Sequence, residues 1–123
     1  MRRQSATANE LARIELLAGL PGETLARLGE LMERHDIEAG TTVVAEGEQG
    51  DRFYVVLSGM LSVAQAGRGT RGLLRPGDYF GEVGLVMDMP RTATVQAVTP
   101  AVVASCDRPT FDEIVRPIFD WDE

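Results

Sequence analysis

The sequence predicts a mainly β fold, a barrel or jelly roll of short strands with helices before and after it. Three observations carry this. From Asp36 onward the chain is a succession of short β-rich runs cut by glycines at roughly even spacing. The segment before it, from Ala8 to His35, has helical rather than alternating periodicity, and a short apolar stripe typical of a helix follows the last run.

In the N-terminal segment Leu11, Ile14 and Leu17 recur every three residues, and Leu25, Leu28, Leu31 and Met32 form a second stripe separated by Glu23, Arg27, Glu30 and Glu33. The "GLPG" between them, Gly19 to Gly22, punctuates, so the segment reads as two helices with a tight break. His35 is expected at the end of the second helix, where a cation suits the dipole. "TTVVAE", "RFYVVLSG", "MLSVAQA" and "RGLL" read as strands, interrupted by the turn clusters "EGEQGD" (Glu46 to Asp51) and "RPGD" (Arg75 to Asp78). "ATVQAV" and "AVVASCD" are two further strands. In "RPTFDEIVRPIF" Pro109 opens a helix, Phe111, Ile114 and Val115 form its apolar face, and Pro117 is expected to stop or bend it. The expected organisation is one domain over 1–123: helices over 1–35, strands over 36–107 and a C-terminal helix over 108–123.

Length and composition agree with one soluble domain: 123 residues, 44% hydrophobic and 25% charged. A formal net charge of -7 argues against a general nucleic-acid binder but leaves a small anion open. The single cysteine, Cys106, excludes an internal disulfide and reads as a small buried strand residue; with one histidine there is no Cys/His cluster for zinc, and no metal is expected. A metal-dependent barrel enzyme needs converging histidines that this chain lacks, so no catalytic residue is assigned. No apolar run reaches the length of a membrane span, and "MRRQSATANE" lacks the apolar core of a signal peptide. A cytoplasmic domain, or a cytoplasmic piece of something larger, is expected. "GRGTRG", Gly67 to Gly72, fits a dinucleotide pattern, but no helix follows it, so it is expected to be a hairpin tip.

The informative stretch is "GDYFGEVGLVMDMPRTATV", Gly77 to Val95. Gly81 permits close approach to its backbone. Glu82 to Met87 reads as one or two helical turns, whose start presents free N–H groups to an anion. A carboxylate there suits a ligand with a hydroxyl beside its anion, with Glu82 accepting from the hydroxyl. Arg91 offers a planar fork that matches two phosphate oxygens, and Thr92 adds a hydroxyl and an N–H. Val83, Leu85 and Val86 are expected to anchor the small helix in the core. Such a site suits a phosphate fused to a ribose; the competing reading is a surface Glu82–Arg91 salt bridge that caps a short helix.

"FGEVGL" followed by "PRTATV", together with "AGTTVVAEGEQGDRFYVVLSG" upstream, resembles the cyclic nucleotide-binding domain family over about Leu16 to Val115. The resemblance implies an eight-stranded β-roll with N-terminal helices, a short phosphate-cassette helix and a C-terminal helix. It implies that Glu82 accepts from the ribose 2′-hydroxyl, that Arg91 pairs with the cyclic phosphate, and that Gly81, Val83, Gly84, Thr92 and Ala93 line the site, with backbone N–H contacts from Gly81, Gly84, Thr92 and Ala93. Val63 and Leu74 match positions that pack on the purine. Where the family folds a further helix over the base, Pro117 interrupts this chain, and Trp121 is a candidate lid residue. The implied ligand is cAMP, with cGMP compatible with Thr92. The implied role is a non-enzymatic sensor that acts through its C-terminal helix on an effector outside the chain, such as a channel, transporter or kinase. The alternative is a structural module that keeps the roll and binds nothing. Direct DNA binding is not expected, since the chain shows no helix-turn-helix after the roll.

Overall fold

The computed structural model describes residues 5–119. The chain opens with a short helix, α1 (Ala8–Leu11), and a 3-10 turn (Glu15–Leu17). Thr7 and Glu10 form a reciprocal capping box at the start of α1: each side chain accepts from the other's backbone N–H at 3.1 Å. Helix α2 (Gly22–Leu31) follows the break at Pro21 and buries Leu25 and Leu28. Gly29 lets the N-terminal segment cross it closely, since a Cβ there would lie 2.6 Å from the Ala6 carbonyl oxygen.

Eight strands are found among the described residues: β1 (Glu33–Ile37), β2 (Thr42–Val44), β3 (Arg52–Ser58), β4 (Leu61–Gln65), β5 (Gly69–Leu74), β6 (Tyr79–Phe80), β7 (Thr94–Ala97) and β8 (Ala101–Asp107). They form two four-stranded antiparallel sheets, ordered β1-β8-β3-β6 and β2-β7-β4-β5. This is the expected roll, with three adjustments. The roll begins at Glu33, not at residue 36, so His35 lies in a strand instead of ending a helix. Antiparallel pairing of Glu33 to Ile37 with Ser105 to Ala101 takes these residues into the sheet. "ERHDI" carries little apolar signal because β1 is an edge strand and no residue of it is fully buried. The second adjustment is in "GRGTRG", expected as a hairpin tip: only Gly67 and Arg68 lie in the β4–β5 turn, and Gly69 to Gly72 already belong to β5 and pair back onto β4.

The third adjustment is at the C-terminus. The helix runs as α4 (Arg108–Thr110), a π turn (Phe111–Val115) and α5 (Arg116–Phe119), so Pro117 does not stop it within the described residues. In the π turn the Arg116 N–H donates to the Phe111 carbonyl, five residues back. Pro117 therefore sits in the first turn of a new α segment, where a missing N–H is tolerated.

Strand β3 shows how the roll separates two apolar regions. Phe53 and Val55 face the helices and pack with Leu11, Leu28, Met32 and Phe111; Tyr54 and Val56 face the interior between the sheets, with Leu61, Phe80 and Val103. Strand β8 is buried on both faces, with Ala104 and Cys106 toward the helices and Ala101 and Val103 inside, which explains its nearly unbroken apolar run. The C-terminal helix docks through Phe111, whose ring lies 5.3 Å from that of Phe53.

Candidate functional site

Phe80 to Gly84 and Arg91 to Ala93 form one side of a cavity. β6 stops at Gly81, whose backbone is left-handed (φ 96°), and helix α3 (Glu82–Val86) starts directly after it. A side chain at Gly81 would be strained by that φ and would also press on the Arg52 carbonyl oxygen, 2.8 Å from an added Cβ. Leu85 is fully buried and Val86 partly buried in the helix-side core, so both anchor α3 as expected. Val83 does not: it is 38% exposed and lines the cavity, because the anchoring face of a helix this short is taken by Leu85 and Val86.

Arg91 is held from every side. Its backbone N–H donates to the Glu48 carbonyl (2.8 Å) and its carbonyl accepts from the Gly47 N–H (2.9 Å), which ties it to the "EGEQGD" turn. The residue is 8% exposed. Nη1 donates to the Gly81 carbonyl at 3.1 Å and Nη2 to the Arg52 carbonyl at 3.0 Å. The guanidinium lies over the Tyr54 ring, 5.8 Å from its centroid. Gly50 makes the space: a Cβ there would lie 2.7 Å from Nε.

Among the described residues no carboxylate forms an ion pair with Arg91. A nearly buried cation held only by carbonyl dipoles is costly unless an anion joins it. Glu82 is close enough to feel its charge without bridging to it. Burial, the largest influence, raises the Glu82 carboxyl above the usual range, opposed by a hydrogen bond from its own backbone and by the Arg91 charge. The surface salt bridge considered from sequence is therefore not the arrangement found.

The cavity measures about 140 Å³. Glu82, Arg91 and Thr92 give it polar groups, and Val44, Val63, Phe80 and Val95 an apolar wall. Gly81, Gly84 and Ala93 complete it. A larger cavity of about 230 Å³ lies elsewhere, between Arg13 and Gly77; its carboxylate, Glu10, is already engaged by Thr7 and Arg34. Among the described residues no group of three or more His, Cys, Asp or Glu side chains is placed to hold a metal ion.

Residues 34–117 match the family model described as cyclic nucleotide-binding domain. The chain belongs to this family. The cAMP-dependent protein kinase regulatory subunit of Yarrowia lipolytica is 38% identical over 120 residues, which cover 97% of this chain and 32% of that protein. The regulatory domain of Toxoplasma gondii PKA, solved with cAMP, superposes with a TM-score of 0.86 at 26% identity, covering 92% of this chain and 45% of that one. The regulatory subunit of a cAMP-independent protein kinase A from Trypanosoma brucei, solved as a triple mutant bound to cAMP, gives 0.85 at 25% identity over 91% and 43%. The chain spans about a third of the length of the Yarrowia protein. These relatives are regulatory proteins, and the family's domain binds ligand and is not catalytic.

Most residues expected to line the cyclic nucleotide-binding site meet at one cavity; Leu74 does not. It pairs with Leu61 and faces the roll interior. The β5 neighbour of Val63 is Gly72, and the register shifts just beyond, between Val63 and Ala64. Trp121 lies outside the described residues. Beyond the apolar wall of Val44, Phe80 and Val95, four contributors that position Arg91 and Thr92 were not foreseen: Gly50, the Arg52 carbonyl, the Tyr54 ring and Gln65, whose Nε2 donates to the Thr92 carbonyl at 3.0 Å. Of these only Gly50 left a sequence signal, as the second glycine of the "EGEQGD" turn.

Proposed function

We propose that this domain binds cAMP reversibly in the cavity beside α3. The observation that carries the reading is Arg91: a guanidinium almost out of water, aimed by two carbonyls, with no carboxylate partner among the described residues and a half-buried acid next to it. Arg91 pairs with the exocyclic oxygens of the cyclic phosphate. Glu82 accepts from the ribose 2′-hydroxyl, and the amides of Gly81, Gly84, Thr92 and Ala93 supply further donors. Val63 and its apolar neighbours meet the purine. Thr92 leaves cGMP as a weaker ligand. Similarity to proteins described as cAMP-bound supports this choice.

Ligand binding shifts the equilibrium of the C-terminal helix only by its differential affinity for the two positions. The description of the relatives as kinase regulatory subunits supports a protein kinase catalytic subunit as the effector. Among the described residues no helix is long and apolar enough to cross a membrane.

Parallel calorimetric titrations with cAMP and cGMP test the reading. Arg91→Ala should weaken cAMP binding about a hundredfold, on the order of 3 kcal/mol. Equal affinity in wild type and variant, or no heat from either nucleotide, would overturn it.

A further inference from the structure

Helix α3 carries Glu82 at its first residue, so whatever fixes its other end also aims that carboxylate. The other end finishes in an αL turn: Asp88 has φ 53°, and the Met89 N–H donates back to the Gly84 carbonyl at 3.2 Å. The carbonyl of Leu85 accepts from two arginines of the C-terminal helix. Arg108 Nη1 donates at 3.3 Å and Arg116 Nη2 at 3.0 Å.

Both arginines are themselves held. Arg108 also reaches the Asp88 carboxylate at 3.5 Å. Arg116 donates from Nε to Asp112 at 2.9 Å and lies over the Phe111 ring, 5.7 Å from its centroid. Apolar contact runs alongside, because Leu85 shares one core cluster with Phe111, Ile114 and Val115.

The π turn explains how two residues eight apart reach one oxygen. In an unbroken α-helix they would be offset by about 80°. A π turn absorbs one additional residue, which reduces the offset to about 20° and brings both guanidinium groups to the same side.

We propose that Arg108 and Arg116 are positioning residues for the ligand site. Together they clamp the trailing end of α3 to the C-terminal helix, so that the aim of Glu82 and the seating of that helix depend on each other. By reciprocity, a ligand that tightens α3 tightens this grip, and loosening the grip loosens the ligand. The effect on ligand rests on the cAMP reading above; the clamp on α3 does not.

The test compares wild type, the double variant R108Q/R116Q and the single variants R116Q and R116K. Amide hydrogen exchange is measured on ligand-free protein, and cAMP dissociation by stopped flow. In the double variant the amides of Met87 and Met89, which donate to the Val83 and Gly84 carbonyls, should exchange about 30-fold faster, the scale of one hydrogen bond to a charged group, while β3 and β8 keep their protection. Dissociation of cAMP should quicken by a similar factor, and R116K, which keeps a charged donor, should retain most of the protection that R116Q loses. The proposal is overturned if α3 exchange stays within about twofold of wild type. It is also overturned if protection falls equally across the roll, if R116K behaves as R116Q, or if a loosened α3 leaves dissociation unchanged. A wild type that binds no cAMP refutes the proposed ligand, and the exchange comparison still decides the clamp.

Discussion

Replacing Gly50 by alanine adds one methyl group at the place where Arg91 is aimed. The position has ordinary backbone geometry, so no φ penalty confuses the result. The added Cβ would stand 2.7 Å from Nε, 2.8 Å from Cζ and 3.0 Å from Cδ of Arg91. These atoms belong to a side chain that can give way, so the fold should survive. The guanidinium, however, is fixed by two bonds of 3.0 and 3.1 Å to carbonyls on opposite segments, and a displaced fork cannot keep both. Losing one hydrogen bond to a charged group is worth about 2 kcal/mol, or roughly 30-fold in Kd. Calorimetric titration of Gly50→Ala with cAMP measures the loss, and a melting curve confirms that the roll is intact. An affinity equal to wild type in a folded variant would refute the argument that the carbonyl pair pre-aims Arg91.

Three further outcomes follow from the same geometry. Burial holds the Glu82 carboxyl above its ordinary value of 4.5; a raised carboxyl favours the folded state while protonated, so that contribution is full below 4.5 and is lost as pH rises through the raised value. Ionised Glu82 therefore costs stability at neutral pH, and Glu82→Gln should melt higher than wild type without ligand while binding cAMP about tenfold more weakly; a lower melting temperature would contradict this. Cys106 is fully buried and its thiol is pushed up to about 12, chiefly by burial, so a thiol reagent at neutral pH should label it only as fast as the chain unfolds; rapid labelling of folded protein would be the contrary result. Asp88→Gly removes a non-glycine residue from left-handed backbone and should raise stability by about 1 kcal/mol in chemical denaturation, because the Arg108 partner it forfeits contacts a side chain that is 81% exposed; an unchanged or lower midpoint would show that this pair matters more than the backbone strain.

Much of this was legible in the residues, for definite reasons. Strands such as β3 and β8 announce themselves because burial on one or both faces demands alternating or unbroken apolar residues. Glu82 and Arg91 stand out because both ends of the site lie within one short segment. β1 was hidden by its place at a sheet edge, where "ERHDI" needs no apolar face, and β6 by being two residues long. The carbonyls of Gly81 and Arg52 were out of reach because every residue has a carbonyl, and only the tertiary path brings these two to one guanidinium. Leu74 shares its face of the hairpin with Val63 but pairs with Leu61, two residues along β4 from Val63, and that offset is written in backbone pairing and not in residue type.

The sheet containing β8 has a consequence for how the molecule is made. β8 lies between β1 and β3, so the strand completed at Asp107 joins segments that begin at Glu33 and Arg52. During vectorial synthesis those two earlier segments wait without their shared neighbour until residue 107 has cleared the ribosome. Assembly then has to close long stretches of chain at once, which places the domain among slow, high-contact-order folders working in milliseconds to seconds. A nascent chain stalled before Ala101 would present bare strand edges, the form most exposed to capture by chaperones or to aggregation.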